Sequence, residues 1–262
     1  MGVLEGTYIY NKEELINELI YQEICRYFGI NINEISIVGI DDKGYIVKYK
    51  KHNDKDILNL EEFLVSRLSD EKEDDLSLDE SKKEEKESLR RTRFNSLESI
   101  ETGFRYLYPR VINYNSDRRM LRTLSGVITI DYLLGNTSRD IANVTIYNDS
   151  DKNYSIEEIG KSDKLFGKNP GITPFTCPSK TDTFKRTLEK ALDKFGWNFS
   201  ISLFIDNLIK YNNEIDNSKF ADIVTAVMLK NYINLSDKNL GTLMDNYNRQ
   251  RVLIQETYNF RR

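Results

Sequence analysis

Between residues 70 and 93 the chain nearly stops supplying apolar side chains, running as DEKEDDLSLDE and then SKKEEKESLRRTR. A segment of that composition cannot bury enough surface to offset the entropy of ordering it. It therefore divides the 262-residue chain into two parts that must be organised on either side of it: residues 1–69 and residues 95–262, with 70–94 as a charged flexible linker or insert. A regulatory insert is the alternative reading. Ser77, Ser81, Ser88, Thr92 and Ser96 sit among charges, and a phosphate on Ser96 would have Arg93 and its neighbours to pair with.

The first part mixes strand and helix. Thr7 to Tyr10 reads as a short strand, and Lys12 to Phe28 as an amphipathic helix, because Leu15, Ile16, Leu19, Ile20, Ile24, Tyr27 and Phe28 recur at helical spacing before Gly29 stops it. Ile35 to Ile40 and Gly44 to Lys50 are strand-like runs separated by Asp41, Asp42 and Lys43, as in a hairpin. The second part is helical by periodicity over Ile100 to Tyr108, Asp117 to Leu134, Thr181 to Phe195, Asn198 to Tyr211, Phe220 to Tyr232 and Leu240 to Ile254. These helices are interrupted by a short strand at Val144 to Tyr147, a turn at Asp149 to Asn153 and a loop between Gly160 and Ser179. Trp197, Phe199, Phe204 and Met228 read as core.

The helix expected over Asp117 to Leu134 delivers the chain into LGNTSRDIANV, Leu134 to Val144. This stretch resembles the catalytic-loop signature of the HipA-like protein kinases, Gly-Asn-x-Asp-Arg-His-x-x-Asn. Gly135, Asn136, Arg139 and Asn143 match; Ser138 stands where the family has its Asp, and Asp140 where it has its His. Glu13 to Gly29 (EELINELIYQEICRYFG) is similar to the family's regulatory helix. The likeness is good there and over Ile128 to Val144, and loose elsewhere.

The resemblance implies an α+β, two-lobed protein-kinase-like fold, with a reduced N-terminal α/β lobe and a mainly helical C-terminal lobe. It also assigns roles. The family's Asp accepts the proton of the substrate hydroxyl and its Asn holds a magnesium on ATP, because phosphoryl transfer rests on positioning and charge neutralisation. Ser138 has no carboxylate for the first task, whereas Asn143 suits the second. Arg139 would order the loop. Asp140 creates a Ser-Arg-Asp triplet, but only Ile141 and Ala142 separate it from Asn143, so its carboxylate would aim elsewhere than in ordinary protein kinases. Glu18 corresponds to the helix glutamate that pairs with the phosphate-binding lysine. The preceding strand offers Tyr8, Ile9, Tyr10 and Asn11, which leaves Lys12 as the nearest lysine, and too few residues come before it for a glycine-rich hairpin over the phosphates. For the second metal ligand the candidates are Asp149, Asp151 and Asp163. The stretch IGKSDKLF is similar to the family's Asp-Asn-Gly-x-Ser-Leu-Phe, with Lys161 where the Asp is expected and Asp163 close by.

Composition excludes more than it assigns. A net charge of -4 from 38 basic and 42 acidic residues makes no case for a general nucleic-acid or membrane surface. Cys25 and Cys177 are too few and too far apart in sequence for a disulfide framework or a zinc site, which fits a reduced, cytoplasmic setting. No run approaches eighteen apolar residues, and MGVLEGTYIY has neither the basic leader nor the apolar core of a signal peptide. The single histidine, His52, lies among lysines with no partner imidazole, against a histidine-based triad or zinc site. Gly160-Lys161-Ser162 lacks the upstream glycine of a phosphate-binding loop.

What emerges is a HipA-like kinase fold with degraded catalytic parts, a pseudokinase acting as a binding or regulatory module for a protein partner, with binding of ATP and Mg2+ as a retained option. Two alternatives stay open: an active Ser/Thr kinase with relocated groups, using Asp140 and Asp163, and a helical interaction protein unrelated to kinases.

Overall fold

The computed structural model describes residues 7–30, 32, 34–49, 57–64, 96–106, 114–139, 144–148, 154–159, 162–167, 184–193 and 198–259. The charged stretch 70–94, the expected turn at Asp149 to Asn153, and His52, Asp140, Asn143, Lys161, Cys177 and Trp197 lie outside the described residues.

Strand β1 (Thr7–Tyr10) is followed by helix α1 (Lys12–Tyr27) and a hairpin of β2 (Ile35–Asp41) and β3 (Gly44–Tyr49). β3 lies in the middle of an antiparallel sheet of order β1-β3-β2. The hairpin turns because Asp41 Oδ1 accepts from the backbone N–H of Lys43 at 2.8 Å and of Gly44 at 3.0 Å, an aspartate mimicking a turn. Asn11 starts α1 with a capping box: its side chain accepts from Glu14 N at 2.9 Å while Glu14 Oε2 accepts from Asn11 N at 2.8 Å.

A second antiparallel sheet, of order β4-β5-β6, joins β4 (Ile57–Asn59) to β5 (Val144–Asn148) and β6 (Tyr154–Ile159). Leu58 pairs with Ile146, so residues from both parts of the chain share this sheet. Sequence periodicity finds β5 alone. β4 is three residues long, and Glu157 and Glu158 interrupt the alternation of β6 (YSIEEI).

The helices are α2 (Leu97–Tyr106), α3 (Tyr114–Leu134), α4 (Phe184–Asp193), α5 (Phe199–Glu214), α6 (Asn217–Lys230) and α7 (Asp237–Asn259). α2 begins three residues before its expected start because Ser96 caps it: Ser99 N donates to Ser96 Oγ at 3.1 Å. Ser96 is fully buried and its hydroxyl also donates to Ser99 Oγ at 3.0 Å. A phosphate there would displace the cap and has no room, which overturns the expectation at that residue. α2 in turn supplies Glu101, whose buried carboxylate accepts from Ser200 N at 2.7 Å at the positive end of α5. α3 packs along α5 through small hydroxyls, with Ser125 Oγ donating to Ser200 O at 3.1 Å. Tyr247 of α7 stacks on Phe220 at 3.8 Å and donates to Ile215 O at 2.6 Å, which anchors the last helix. Full burial of each such ring is worth about 1.5–3 kcal/mol.

α1 departs from its amphipathic reading. Every side chain from Leu15 to Gln22 is buried, because β1 and β3 cover one side of the helix while α3 and α6 cover the other. Tyr27, beyond that packing, is exposed. Asn17, Glu18 and Gln22 are therefore polar groups in the interior, and each must find a partner there.

Candidate functional site

α3 ends at Leu134, and the chain reverses through Gly135 at φ 61°, with Asn136 N donating back to Asp131 O at 2.7 Å. The loop then runs beside residues 162–167. Phe166 N donates to Leu134 O at 2.7 Å, Gly167 N to Gly135 O at 2.8 Å and Thr137 N to Lys164 O at 2.9 Å. Two glycines permit this approach. A Cβ on Gly135 would stand 3.0 Å from Gly167 O and 2.7 Å from Gln250 Nε2, and one on Gly167 would overlap the Thr137 methyl. Phe166 itself is held at φ 60°.

Inside this zipper lies a closed polar network. Arg139 Nε donates to Asp131 Oδ2 at 3.0 Å and its Nη2 to Asp131 Oδ1 at 3.2 Å and to Ser162 Oγ at 2.8 Å. Asn136 Nδ2 donates to Asp131 Oδ1 at 2.8 Å. Its Oδ1 accepts from both Ser138 N, at 3.1 Å, and Ser138 Oγ, at 2.8 Å. Asp131, Asn136, Arg139 and Ser162 are all buried, and the Arg139 guanidinium sits over the Tyr21 ring, 5.2 Å from its centroid.

α1 closes the network from the other side. Glu18 Oε2 accepts from Ser162 N at 2.5 Å and its Oε1 from Gln22 Nε2 at 3.3 Å. Asn17 Nδ2 donates to Asp163 O at 3.0 Å. Burial raises the Glu18 carboxyl above its ordinary value; the Ser162 N–H, Arg139 and Gln22 oppose that rise without cancelling it. Tyr10, the buried residue of β1, donates or accepts at 2.6 Å with the Tyr49 hydroxyl, and its phenol is raised by burial and then by the nearby Glu18.

The structure thus gathers three of the expected residues, Glu18, Ser138 and Arg139, around the two loops, with Asp163 beside them. Lys12 stands apart: its ammonium donates to Asn234 O rather than to Glu18. β1 (TYIY) contributes the buried Tyr10 and no lysine. Sequence reasoning missed Asp131, Tyr10 and Ser162. The signal for Asp131 was present, since a lone carboxylate inside the apolar run VITIDYLL must be buried and paired.

Asp163 Oδ1 is buried and finds no hydrogen-bond partner among the described residues. It is a single oxygen ligand; no group of three or more His, Cys, Asp or Glu among the described residues is placed to hold a metal ion. No helix among the described residues is long and apolar enough to cross a membrane.

No protein-family model matches the chain, and no curated protein matches it. Its structure is similar to that of a Helicobacter pylori proinflammatory kinase, CtkA, with a TM-score of 0.54 and 12% sequence identity, covering 97% of this chain and 87% of that one. At that identity the likeness concerns the fold. The fold is a kinase-like, two-lobed α+β arrangement, with a small antiparallel sheet set against a mainly helical lobe.

Proposed function

We propose that the chain is a HipA-like kinase-fold protein that is catalytically impaired and works in the cytoplasm as a binding or regulatory module for a protein partner. The observation that carries this reading is Ser138. In the place of the catalytic base it offers a hydroxyl, and that hydroxyl is already spent on Asn136 Oδ1. Loss of a positioned base alone lowers transfer by about 10²- to 10⁴-fold. The absence of a lysine from β1 (TYIY), where a phosphate-binding lysine would be needed, adds to the deficit. The buried Asp131–Arg139 pair supports a role for the loop as scaffold.

The test is a thermal shift with ATP and Mg2+, followed by transfer of the γ-phosphate to the protein itself and to a generic substrate. The expected result is no transfer above a protein-free blank, with or without a shift. Transfer that disappears in Asp140→Asn would overturn the proposal.

The orphaned Asp163 Oδ1 favours a second reading, an active Ser/Thr kinase with relocated groups, because a buried carboxylate oxygen without a donor suits a cation. In that case transfer is measurable and Asp163→Asn abolishes it. The kinase-like fold supports these two readings over that of an interaction protein unrelated to kinases.

A further inference from the structure

A separate cleft of about 300 Å³ opens between α1 and α7. α7 contributes Asn239, Thr242, Leu243 and Asn246, spaced so that all four share one helix face. α1 contributes Ile16 and Asn17, and Leu165 and Phe166 close the cleft from the loop side. Glu18, Ser138, Arg139 and Ser162 do not border it.

We infer that this cleft binds an uncharged, flat heterocyclic amide of about nine to fifteen non-hydrogen atoms, sized to a space of roughly ten water volumes. Three carboxamides line it, Asn17, Asn239 and Asn246, and each presents a donor and an acceptor on one planar edge. Asn17 Nδ2 is engaged with Asp163 O, which leaves its Oδ1 to accept. Ile16, Leu165, Phe166 and Leu243 offer apolar surface for the faces of a ring. Among the described residues that line the cleft, the charged ones are the adjacent Lys12 and Glu13, which offset each other, and the Lys12 ammonium is already held by Asn234 O. A charged ligand would exchange its hydration for neutral dipoles and lose by it. A ligand seated there touches both the helix that carries Glu18 and the loop that carries Ser162, so it bridges the two partners of that contact.

The experiment is a titration of the full, ¹⁵N-labelled chain with nicotinamide up to about 20 mM, the affinity range expected of so small a ligand, with nicotinate as the charged control. The side-chain amide signals of Asn17, Asn239 and Asn246 shift saturably with nicotinamide and not with nicotinate. Asn246→Leu weakens that binding about tenfold. Asn239→Leu, at an exposed position, weakens it likewise with an unchanged melting temperature, and decides the matter if Asn246→Leu fails to fold. No saturable shift, an equal response to nicotinate, or undiminished binding in Asn239→Leu overturns the inference. ATP with Mg2+ is titrated separately, and its outcome bears only on the kinase reading.

Discussion

Arg139 grips Asp131 through two hydrogen bonds, Nε to Oδ2 at 3.0 Å and Nη2 to Oδ1 at 3.2 Å, with both side chains shut off from solvent. Removing one partner strands the other as a buried charge, which destabilises by about 3–5 kcal/mol, whereas replacing both can be nearly neutral. Asp131→Ala should therefore lower stability in urea by about that amount. Adding Arg139→Met should restore part of it, so that the double variant loses clearly less than the sum of the singles. Strict additivity would show that the pair is not coupled.

Glu18 sets a pH dependence whose sign follows from burial. Its carboxyl is raised above the ordinary 4.5 in the folded chain, so the folded state holds its proton more tightly than the unfolded state does. The stability it contributes is full below the unfolded value and is lost as pH rises through the folded one. Glu18→Gln should remove this component: the stability difference, variant minus wild type, should grow as pH rises above about 4.5. Urea unfolding across a pH series checks it, and a difference that is flat with pH would show that Glu18 keeps its ordinary affinity for the proton.

Gly135 and Gly29 make a matched pair for testing the loop zipper. Both have positive φ, 61° and 68°, but a Cβ on Gly29 meets nothing within 4 Å, while one on Gly135 runs into Gly167 O and Gln250. Gly29→Ala should lower stability by about 1–2 kcal/mol, the left-handed conformation alone. Gly135→Ala should lower it by more, because the two loops must separate to admit the methyl. Equal losses would mean that the approach of the loops contributes nothing.

Much of this arrangement was legible because local patterns were strong. Gly29 stops α1 and Asp41 lies in the turn of the hairpin, as physical chemistry requires of those residues, whereas the Asn11–Glu14 capping box that starts α1 was not read from the sequence. The full burial of α1 was hidden, since periodicity reports one apolar face and cannot see a sheet and two helices closing on the rest. The burial of Glu18 follows from that enclosure. Its partner, Ser162 N, is 144 residues away, and no local pattern points to a backbone N–H. β4 and β6 were missed for the same reason: their pairing with β5 is non-local, and their own sequences are short or interrupted by charge.

Ser138→Asp separates a single missing group from a wider loss. If the base were the only deficit, restoring a carboxylate would raise γ-phosphate transfer by about 10²-fold or more. The surroundings argue otherwise. Asn136 Oδ1 now accepts from Ser138 Oγ, and a carboxylate at that position has no proton to donate to it; Asp131, already paired with Arg139, adds like charge to the same network. β1 still offers the buried Tyr10 and no lysine, and a phenol cannot neutralise a phosphate. Ser138→Asp should therefore gain less than about tenfold in transfer, well below a base's usual contribution, and should lose about 1–3 kcal/mol in urea unfolding as the network loses its hydroxyl donor. A hundredfold gain in the single variant would show that the rest of the machinery is intact.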